Sequence, residues 1–499
     1  MICVSIGRTR HKMMIAEHRA LADKGAQLVE LRLDYLSRPP DLVRLLNERP
    51  TPCVVTCRRD VDRGRWRGSE AQRQALLRAA IAAGVEYIDL EDDVAGEIPR
   101  YGNTNRIISH HDFAETPEDL AEIHKRLSAL DPDIIKIATM ANSPSDCVRM
   151  LKLVASARVP TVGFCMGELG TASRVLCGKY GSPFTYAGFS NERELAPGQF
   201  SYDEMKNVYR FDEINSETKV FGVLGDPIAH SFSPLVHNAA YAHEKMNCVY
   251  LPFRVPKDAL MTTLEDFEWL DIRGYSVTIP HKVAVIAKAD HFDGPVQEIG
   301  AANTLFRDSQ RSWCASNTDM DAALTSLRTA MEERQFADSS LQGKRVLLLG
   351  AGGAARAIGL GVVRRGAALS ITSRTSEKTA ELASKLGCQK IQWENRGSVF
   401  CDILINCTPV GMHPNVDESP FPMHWLRDNM LVFDTVYNPE NTMLLKQARE
   451  HGCRTVSGVE MFVNQAAAQF ERFIGQAAPR DVMREALRRG ISPVKFWIE

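Results

Sequence analysis

The strongest constraint in this sequence is an alternation over residues 1–212, where eight short apolar runs are separated by longer stretches with helical periodicity. The runs are ICVSI (2–6), QLVELRL (27–33), PCVVTC (52–57), EYIDLE (86–91), RIISH (106–110), IIKIA (134–138), PTVGFC (160–165) and FTYAG (184–188). Between them lie amphipathic stretches such as 70–83 and 117–130, the latter preceded by a Thr116 cap signal. Short strands that alternate with helices build parallel sheets, and eight repeats in this length fit a (β/α)8 barrel better than an open sheet. A chain of 499 residues is too long for that core alone, so at least one further large domain follows.

In such a barrel, reactive groups collect where the strands end, because side chains converge there outside the packed interior. Glu30, Arg32 and Asp34 end the second run, Arg58 follows the third, Glu91 ends the fourth, and His110 and His111 end the fifth. Any one of them alone reads as a structural ion-pair partner. Lys136 differs, because Ile134, Ile135, Ile137 and Ala138 flank it. An ammonium in such a run loses hydration, and a neutral amine attacks ketones. Lys136 is therefore a Schiff-base candidate, with a structural, ion-paired lysine as the alternative.

Composition narrows the partners. The chain is 44% hydrophobic and 24% charged, which excludes wholesale disorder. Its 60 Lys and Arg balance 62 Asp and Glu, leaving neither a nucleic-acid footprint nor a membrane-surface bias, so small-molecule partners are expected. The 12 cysteines form no CxxC pair, which suits a reducing compartment, and Cys53 and Cys57 read as core thiols; no metal is expected. The opening MICVSIGRTRHK places a strand before charge, the reverse of a signal peptide, and no apolar stretch reaches the ~20 residues of a membrane span. A cytoplasmic protein is expected.

The polar connector DEINSET (212–218) lacks periodicity and marks an expected domain boundary, with a linker at 213–218. Further on, KRVLLLGAGGAARAIG runs from a strand through Gly350, Ala351, Gly352, Gly353 and Ala354 into a helix. This GxGxxA turn lets backbone approach a pyrophosphate, whose charge the first helical N–H groups then meet. The next strand, ALSITSRT (368–375), ends in Ser373, Arg374 and Thr375 without the acid that binds the ribose of NAD. A guanidinium there suits a 2′-phosphate and favours NADP; a solvated surface arginine is the plainer reading. The runs CDILINCTPVGM (401–412) and MLVFDTVYNP (430–439) extend the same parallel sheet.

Two ordered motif sets carry resemblances. ELRLD (30–34), SHHDF (109–113), KIA (136–138), SR (173–174) and APGQ (196–199) together resemble type I 3-dehydroquinate dehydratase. The resemblance implies that Lys136 forms an imine and that His111 is the general acid and base. It implies that Arg32, Arg58, Arg174, Glu30 and Gln199 line the substrate site. Asp62 stands where that family has the glutamate that orients the catalytic histidine, and Leu195 where it has a serine.

GDPIAHSFSPLVHN (225–238), SVTIPHK (276–282), GAANT (300–304), SNTD (316–319), YNP (437–439) and GVEMFVNQAA (458–467) resemble shikimate dehydrogenase. That resemblance implies an α/β substrate domain over 219–320, completed by 455–499, around a Rossmann NADP-binding domain over 321–454. Ser231 and Ser233 would hold a carboxylate, Thr278, Asn303 and Gln465 ring hydroxyls, and Lys282 with Asp319 would form the catalytic pair. The joint expectation is dehydration of 3-dehydroquinate to 3-dehydroshikimate and NADPH-dependent reduction of that product to shikimate. Two other readings are a metabolite sensor built on inactive copies of both domains and a C-terminal half oxidising quinate with NAD. The presence of Lys136, His111, Lys282 and Asp319 opposes the first, and Arg374 the second.

Overall fold

The computed structural model describes residues 1–47, 49–193, 195–332 and 340–492. Parts of the expected nucleotide domain (333–339) and of its C-terminal completion (493–499) lie outside the described residues. The chain divides into two compact units, one of Met1–Val220, Pro227–Ala229 and Asn247–Ile272, the other of Phe221–Asp226, His230–Met246 and Arg273–Glu499.

The first unit contains eight strands: β1 (Ile2–Ile6), β2 (Leu28–Arg32), β3 (Cys53–Thr56), β4 (Tyr87–Glu91), β5 (Asn105–Asp112), β6 (Ile134–Met140), β7 (Thr161–Met166) and β8 (Thr185–Gly188). All pair in parallel, in the order β7-β6-β5-β4-β3-β2-β1-β8. Among the described residues the seam between β7 and β8 has no backbone ladder. Side chains span it instead: the rings of Phe164 and Tyr186 lie 6.1 Å apart. Behind them, Thr185 Oγ1 donates to the Arg174 carbonyl at 2.7 Å, and Cys165 N donates to Ser173 Oγ at 2.8 Å.

Because successive side chains alternate across a strand, every second residue faces the barrel interior. Cys3, Leu28, Val54, Ile107, Ile134, Val162 and Phe184 form an apolar floor. One step further along the strands come Ser5, Glu30, Thr56, Asp89, Ser109 and Lys136, and one step beyond these lie Arg58, Glu91 and His111. A hydrophobic floor under a charged layer at the C-terminal ends is what positions the site.

Two local expectations differ from the structure. The connection from β4 to β5 passes through turns at 92–97 rather than a helix. Thr116 caps nothing: the helix is Leu120–Ser128, and the buried Thr116 hydroxyl lies 2.8 Å from Thr139 Oγ1 and bonds the Met140 carbonyl at 2.8 Å. Its tie to β6 satisfies a hydroxyl that burial would otherwise leave unpaired. The helix Glu70–Ala82 begins with the capping box of Ser69 and Gln72. Residues 213–218 form a bonded turn, with Lys179 Nζ donating to the carbonyls of Ser216 (2.6 Å) and Thr218 (2.8 Å).

Five strands of a six-stranded mixed sheet lie mostly in the second unit, in the order Lys219–Gly225, Ile272–Val277, Thr304–Arg307, Trp313–Ser316 and His291–Phe292. A second sheet is wholly parallel, in the order Gln389–Lys390, Ala368–Thr372, Arg345–Leu349, Ile403–Asn406, Leu431–Asp434 and Arg454–Val456. That order reverses between Arg345–Leu349 and Ile403–Asn406, the doubly wound arrangement that opens a crevice at the strand ends. Both faces are covered: Val346, Leu348 and Ile405 pack with Ile358 and Val362, whereas Leu347, Leu349 and Leu404 pack with Leu444 and Leu445. Among the described residues no helix is long and apolar enough to cross a membrane.

Candidate functional site

In the barrel the charged layer closes on Lys136. Its Nζ donates to Asp89 Oδ2 at 3.1 Å, lies 3.8 Å from Glu30 Oε1, and stands 4.1 Å above the Tyr186 ring. The flanking isoleucines do not set its surroundings: Ile135 and Ile137 alternate to the outer face, and the inner face is polar. Glu30 is fixed by Ser5 Oγ (2.5 Å) and Thr56 Oγ1 (2.8 Å). Arg58, 3% exposed, donates to Asp89 (2.8 Å), Glu91 (2.8 Å) and Ser109 (3.1 Å). Although burial opposes its charge, the Arg58 guanidinium and the Lys136 ammonium hold Asp89 well below the usual carboxylate range.

His111 shares this inner face, with Ser109 paired to Lys136 and His111 to Ala138 in the ladder. Burial, then the cations Arg58 and Lys136, push its imidazole well below the ordinary range, so the ring is neutral near pH 7. Its neighbour His110 faces elsewhere, with Nδ1 3.2 Å from Asp92.

The other expected residues are placed as follows. Arg32 is held in a fork by Asp34 at 2.9 Å. Arg174 is fully buried, 4.5 Å over the Phe164 ring, and donates to the Pro197 carbonyl at 3.0 Å. Gln199 accepts from Leu195 N at 3.1 Å, which fixes the APGQ loop. Asp62 is not brought to the histidine: its carboxylate accepts from Arg59 Nε at 2.7 Å, and among the described residues no hydrogen bond joins it to His111. The loop carrying Asp62 is folded tightly, since a Cβ on Gly64 would stand 2.1 Å from the Arg58 carbonyl.

In the second unit, Lys282 Nζ donates to Asp319 Oδ2 at 2.6 Å. Asn303 Nδ2 donates to Asp319 Oδ1 (2.8 Å) and Thr318 Oγ1 (2.9 Å), and the Lys282 carbonyl accepts from Ala302 N at 2.7 Å. The GAANT and SNTD motifs thus hold one ion pair from two sides. Thr318 Oγ1 donates to the Gln465 carbonyl at 3.2 Å, linking the pair to the helix Gly458–Ile474. Thr278 N donates to the Leu224 carbonyl at 2.9 Å, Ser231 Oγ accepts from Ser233 N at 3.3 Å, and Ser233 opens the helix Ser233–His243.

The glycine-rich turn fits a dinucleotide. Gly350 has φ +116°, and a Cβ there would meet the Cys407 carbonyl at 2.9 Å. Beside Gly352 there is open space, and the 12-residue helix Gly353–Arg364 starts at once. A methyl on Gly353 would stand 3.6 Å from Lys282 Cδ, so the turn adjoins the lysine. Ala351 is buried beneath it and Ala354 is the second residue of the helix. At the end of Ala368–Thr372, the hydroxyls of Ser373 and Thr379 lie 2.6 Å apart, Ser373 Oγ accepts from Thr375 N at 3.3 Å, and Arg374 is exposed. This donor set suits a phosphorylated ribose.

Sequence reasoning missed Asp89, Ser109 and Arg73 in the barrel and Gln469 beside Asn303. Asp89 was legible by strand alternation, two residues before Glu91. Gln469, four residues after Gln465 on one helix, donates to the Asn303 carbonyl at 2.9 Å and accepts from Ser276 Oγ at 2.6 Å.

Comparison with known proteins bears on both halves. Residues 2–216 match the family model for type I 3-dehydroquinase, 223–305 the shikimate dehydrogenase substrate binding domain, and 458–488 the shikimate 5'-dehydrogenase C-terminal domain. Residues 345–432 match a model described as NADP oxidoreductase, coenzyme F420-dependent. A chloroplastic bifunctional 3-dehydroquinate dehydratase/shikimate dehydrogenase of Arabidopsis thaliana is 37% identical over 503 residues, covering 97% of this chain and 83% of that protein. A shikimate dehydrogenase (NADP(+)) of Shouchella clausii is 37% identical over 276 residues, covering 54% of this chain and 98% of its own length. A crystal structure of shikimate dehydrogenase in complex with NADP+ is 35% identical, covers 56% of this chain and 98% of that chain, and superposes with a TM-score of 0.51. The chain belongs to the family of bifunctional 3-dehydroquinate dehydratase/shikimate dehydrogenases.

Proposed function

We propose that this chain dehydrates 3-dehydroquinate in its barrel and reduces the resulting 3-dehydroshikimate to shikimate with NADPH in its second half. The observation that carries the reading is the placement of a buried amine, Lys136, and an imidazole, His111, whose charged form burial and the nearby cations disfavour, on one inner face of adjacent strands. The barrel spans 1–212; the substrate domain spans 219–320, completed by 455–499, around a nucleotide domain at 321–454. All 12 cysteines are unpaired, which suits a reducing cytoplasm.

In the barrel, Lys136 Nζ bonds to the ring ketone and water leaves, giving an iminium. The iminium withdraws electrons from the neighbouring carbon, and His111 takes that carbon's proton. The electrons then expel the ring hydroxyl, to which the imidazolium returns its proton, and water releases Lys136. Arg58, Arg174 and Arg32 hold the substrate's carboxylate and hydroxyls, and Glu30 with Gln199 completes the polar lining.

In the second half, NADPH, when bound, supplies the hydride. Gly350, Ala351, Gly352, Gly353 and Ala354 hold its pyrophosphate, while Ser373, Arg374 and Thr375 read its 2′-phosphate. Ser231 and Ser233 bind the substrate's carboxylate, and Thr278, Asn303 and Gln465 its hydroxyls. Lys282 delivers a proton to the ketone oxygen, and Asp319, braced by Asn303, aims the ammonium.

Borohydride added with 3-dehydroquinate tests the barrel chemistry: the expected result is an irreversible mass increase on the Lys136 peptide. An unmodified Lys136 under conditions of active turnover overturns the imine.

A further inference from the structure

Arg73 heads the fully buried side chains by size, yet it lies on the helix Glu70–Ala82, outside the strand layer, where arginine ordinarily reaches solvent. Its Nη1 donates to the Cys57 carbonyl at 2.7 Å and to Glu91 Oε2 at 2.8 Å. Its Nε and Nη2 grip both oxygens of Glu70 at 2.8 and 2.7 Å. Glu91 gives its other oxygen to Arg58, which holds Asp89, which holds Lys136. One unbroken chain of charged hydrogen bonds therefore runs from the helix layer to the amine.

The charge balance of this chain depends on Arg73. Four buried carboxylates (Glu30, Asp34, Asp89, Glu91) face four cations (Arg32, Arg58, Arg73, Lys136), and the fifth carboxylate, Glu70, is exposed to solvent at the outer end. Removing one cation from a buried network leaves its partner carboxylate uncompensated, which is costly in a medium that screens weakly. Glu91 would then draw Arg58 toward itself and away from Asp89. The charged groups facing His111 are Arg58, Lys136 and Asp89, with His110 acting on it only from the neighbouring strand position, so a displaced Arg58 changes the field at the imidazole as well as the carboxylate-binding fork.

Resting on the dehydratase reading of the barrel, we infer that Arg73 is a positioning residue for that reaction: by neutralising Glu91 it keeps Arg58 poised between Asp89 and substrate. It touches neither substrate nor reacting atoms.

The test compares the full-length wild type with Arg73→Met and Arg73→Lys, measuring kcat and KM for 3-dehydroquinate across pH. Shikimate oxidation with NADP is followed in parallel. Arg73→Met is expected to lower kcat/KM by about tenfold or more, with a raised KM, and to move the acid limb to higher pH because net negative charge favours imidazolium. Arg73→Lys, which restores charge but not the fork, is expected to return the acid limb while KM stays raised. Reductase turnover is expected to be unchanged in both. An Arg73→Met enzyme with wild-type KM and acid limb overturns the inference, and so does an equal loss at every pH in both variants, which is a purely structural effect. If Arg73→Met loses the barrel's thermal transition, Arg73→Lys decides alone, and a wild-type KM in it sinks the proposal. A wild type that leaves 3-dehydroquinate unchanged overturns the functional reading itself, a result distinct from an active wild type with an unaffected variant.

Discussion

In the proposed mechanism Lys136 and Lys282 are both amines that meet a ketone, but their surroundings differ. Lys136 is 6% exposed, faces two carboxylates and an aromatic ring, and sits in a network whose buried charges balance. Lys282 has one carboxylate partner among the described residues, Asp319, and 21% of its side chain is open to solvent. An amine that forms a cationic iminium gains from a sealed layer whose carboxylates stabilise that charge. An amine that hands over a proton must be recharged each cycle, and solvent contact provides the route. Burial and the number of charged partners thus separate the two chemistries proposed for one residue type.

The sharpest way to break this comparison is to remove each amine in turn. Lys136→Ala is expected to lower dehydration by roughly 10⁴-fold or more, since the amine that forms the imine is gone, and to leave shikimate oxidation at the wild-type rate. Lys282→Ala is expected to do the converse, at roughly 10²–10⁴-fold, because water can supply part of the lost proton transfer. Coupled assays on each half check both. Loss of both activities from either substitution would show that the two sites are not independent, and the contrast between them would fall.

The two halves were also legible to different degrees. Strand alternation brought out Lys136 and His111, which lie on strands, whereas Lys282 in a turn, Asp319 at the start of its helix and the glycine-rich turn were read from ordered motifs. What stayed hidden was the second partner of each charge. Arg73 reads from sequence as one more polar residue of an amphipathic helix, and only the packing of that helix on β3 and β4 buries it against Glu91. Asp62 shows the opposite failure. A motif aligned it with a catalytic acid, but a 3₁₀ turn at Asp60–Asp62 delivers its carboxylate to Arg59. Motif position fixes a residue along the chain, whereas hydrogen-bond geometry decides what it reaches.

A smaller effect is expected from the cofactor side. Arg374 is exposed at the end of its strand, so its contribution is limited to the phosphate it meets there. Arg374→Ala is expected to raise the KM for NADP by roughly tenfold to a hundredfold, the worth of a charge-assisted pair, with little change for NAD. Steady-state kinetics with both cofactors measure the ratio. Equal changes for the two would remove Arg374 from 2′-phosphate recognition and revive an NAD-dependent reading of this half.

The smallest expected effect is also the most discriminating for the barrel. Asp62 is tied to Arg59 at 2.7 Å with about a fifth of its side chain exposed, and exposed pairs of this kind contribute little. His111 is already held neutral by burial and by Arg58 and Lys136, so it needs no added carboxylate to act as a base. Asp62→Glu is therefore expected to change kcat/KM for 3-dehydroquinate by less than about threefold, since Arg59 follows the longer acid. The acid limb should stay below pH 6.5, the ordinary imidazole value, because the base is lost only when pH falls through the depressed value of His111. A gain of about tenfold with an acid limb moved upward would mean that the lengthened carboxylate reaches the imidazole during turnover. The barrel would then rely on a mobile acid as well as its buried network, and its contrast with the single ion pair of Lys282 and Asp319 would narrow.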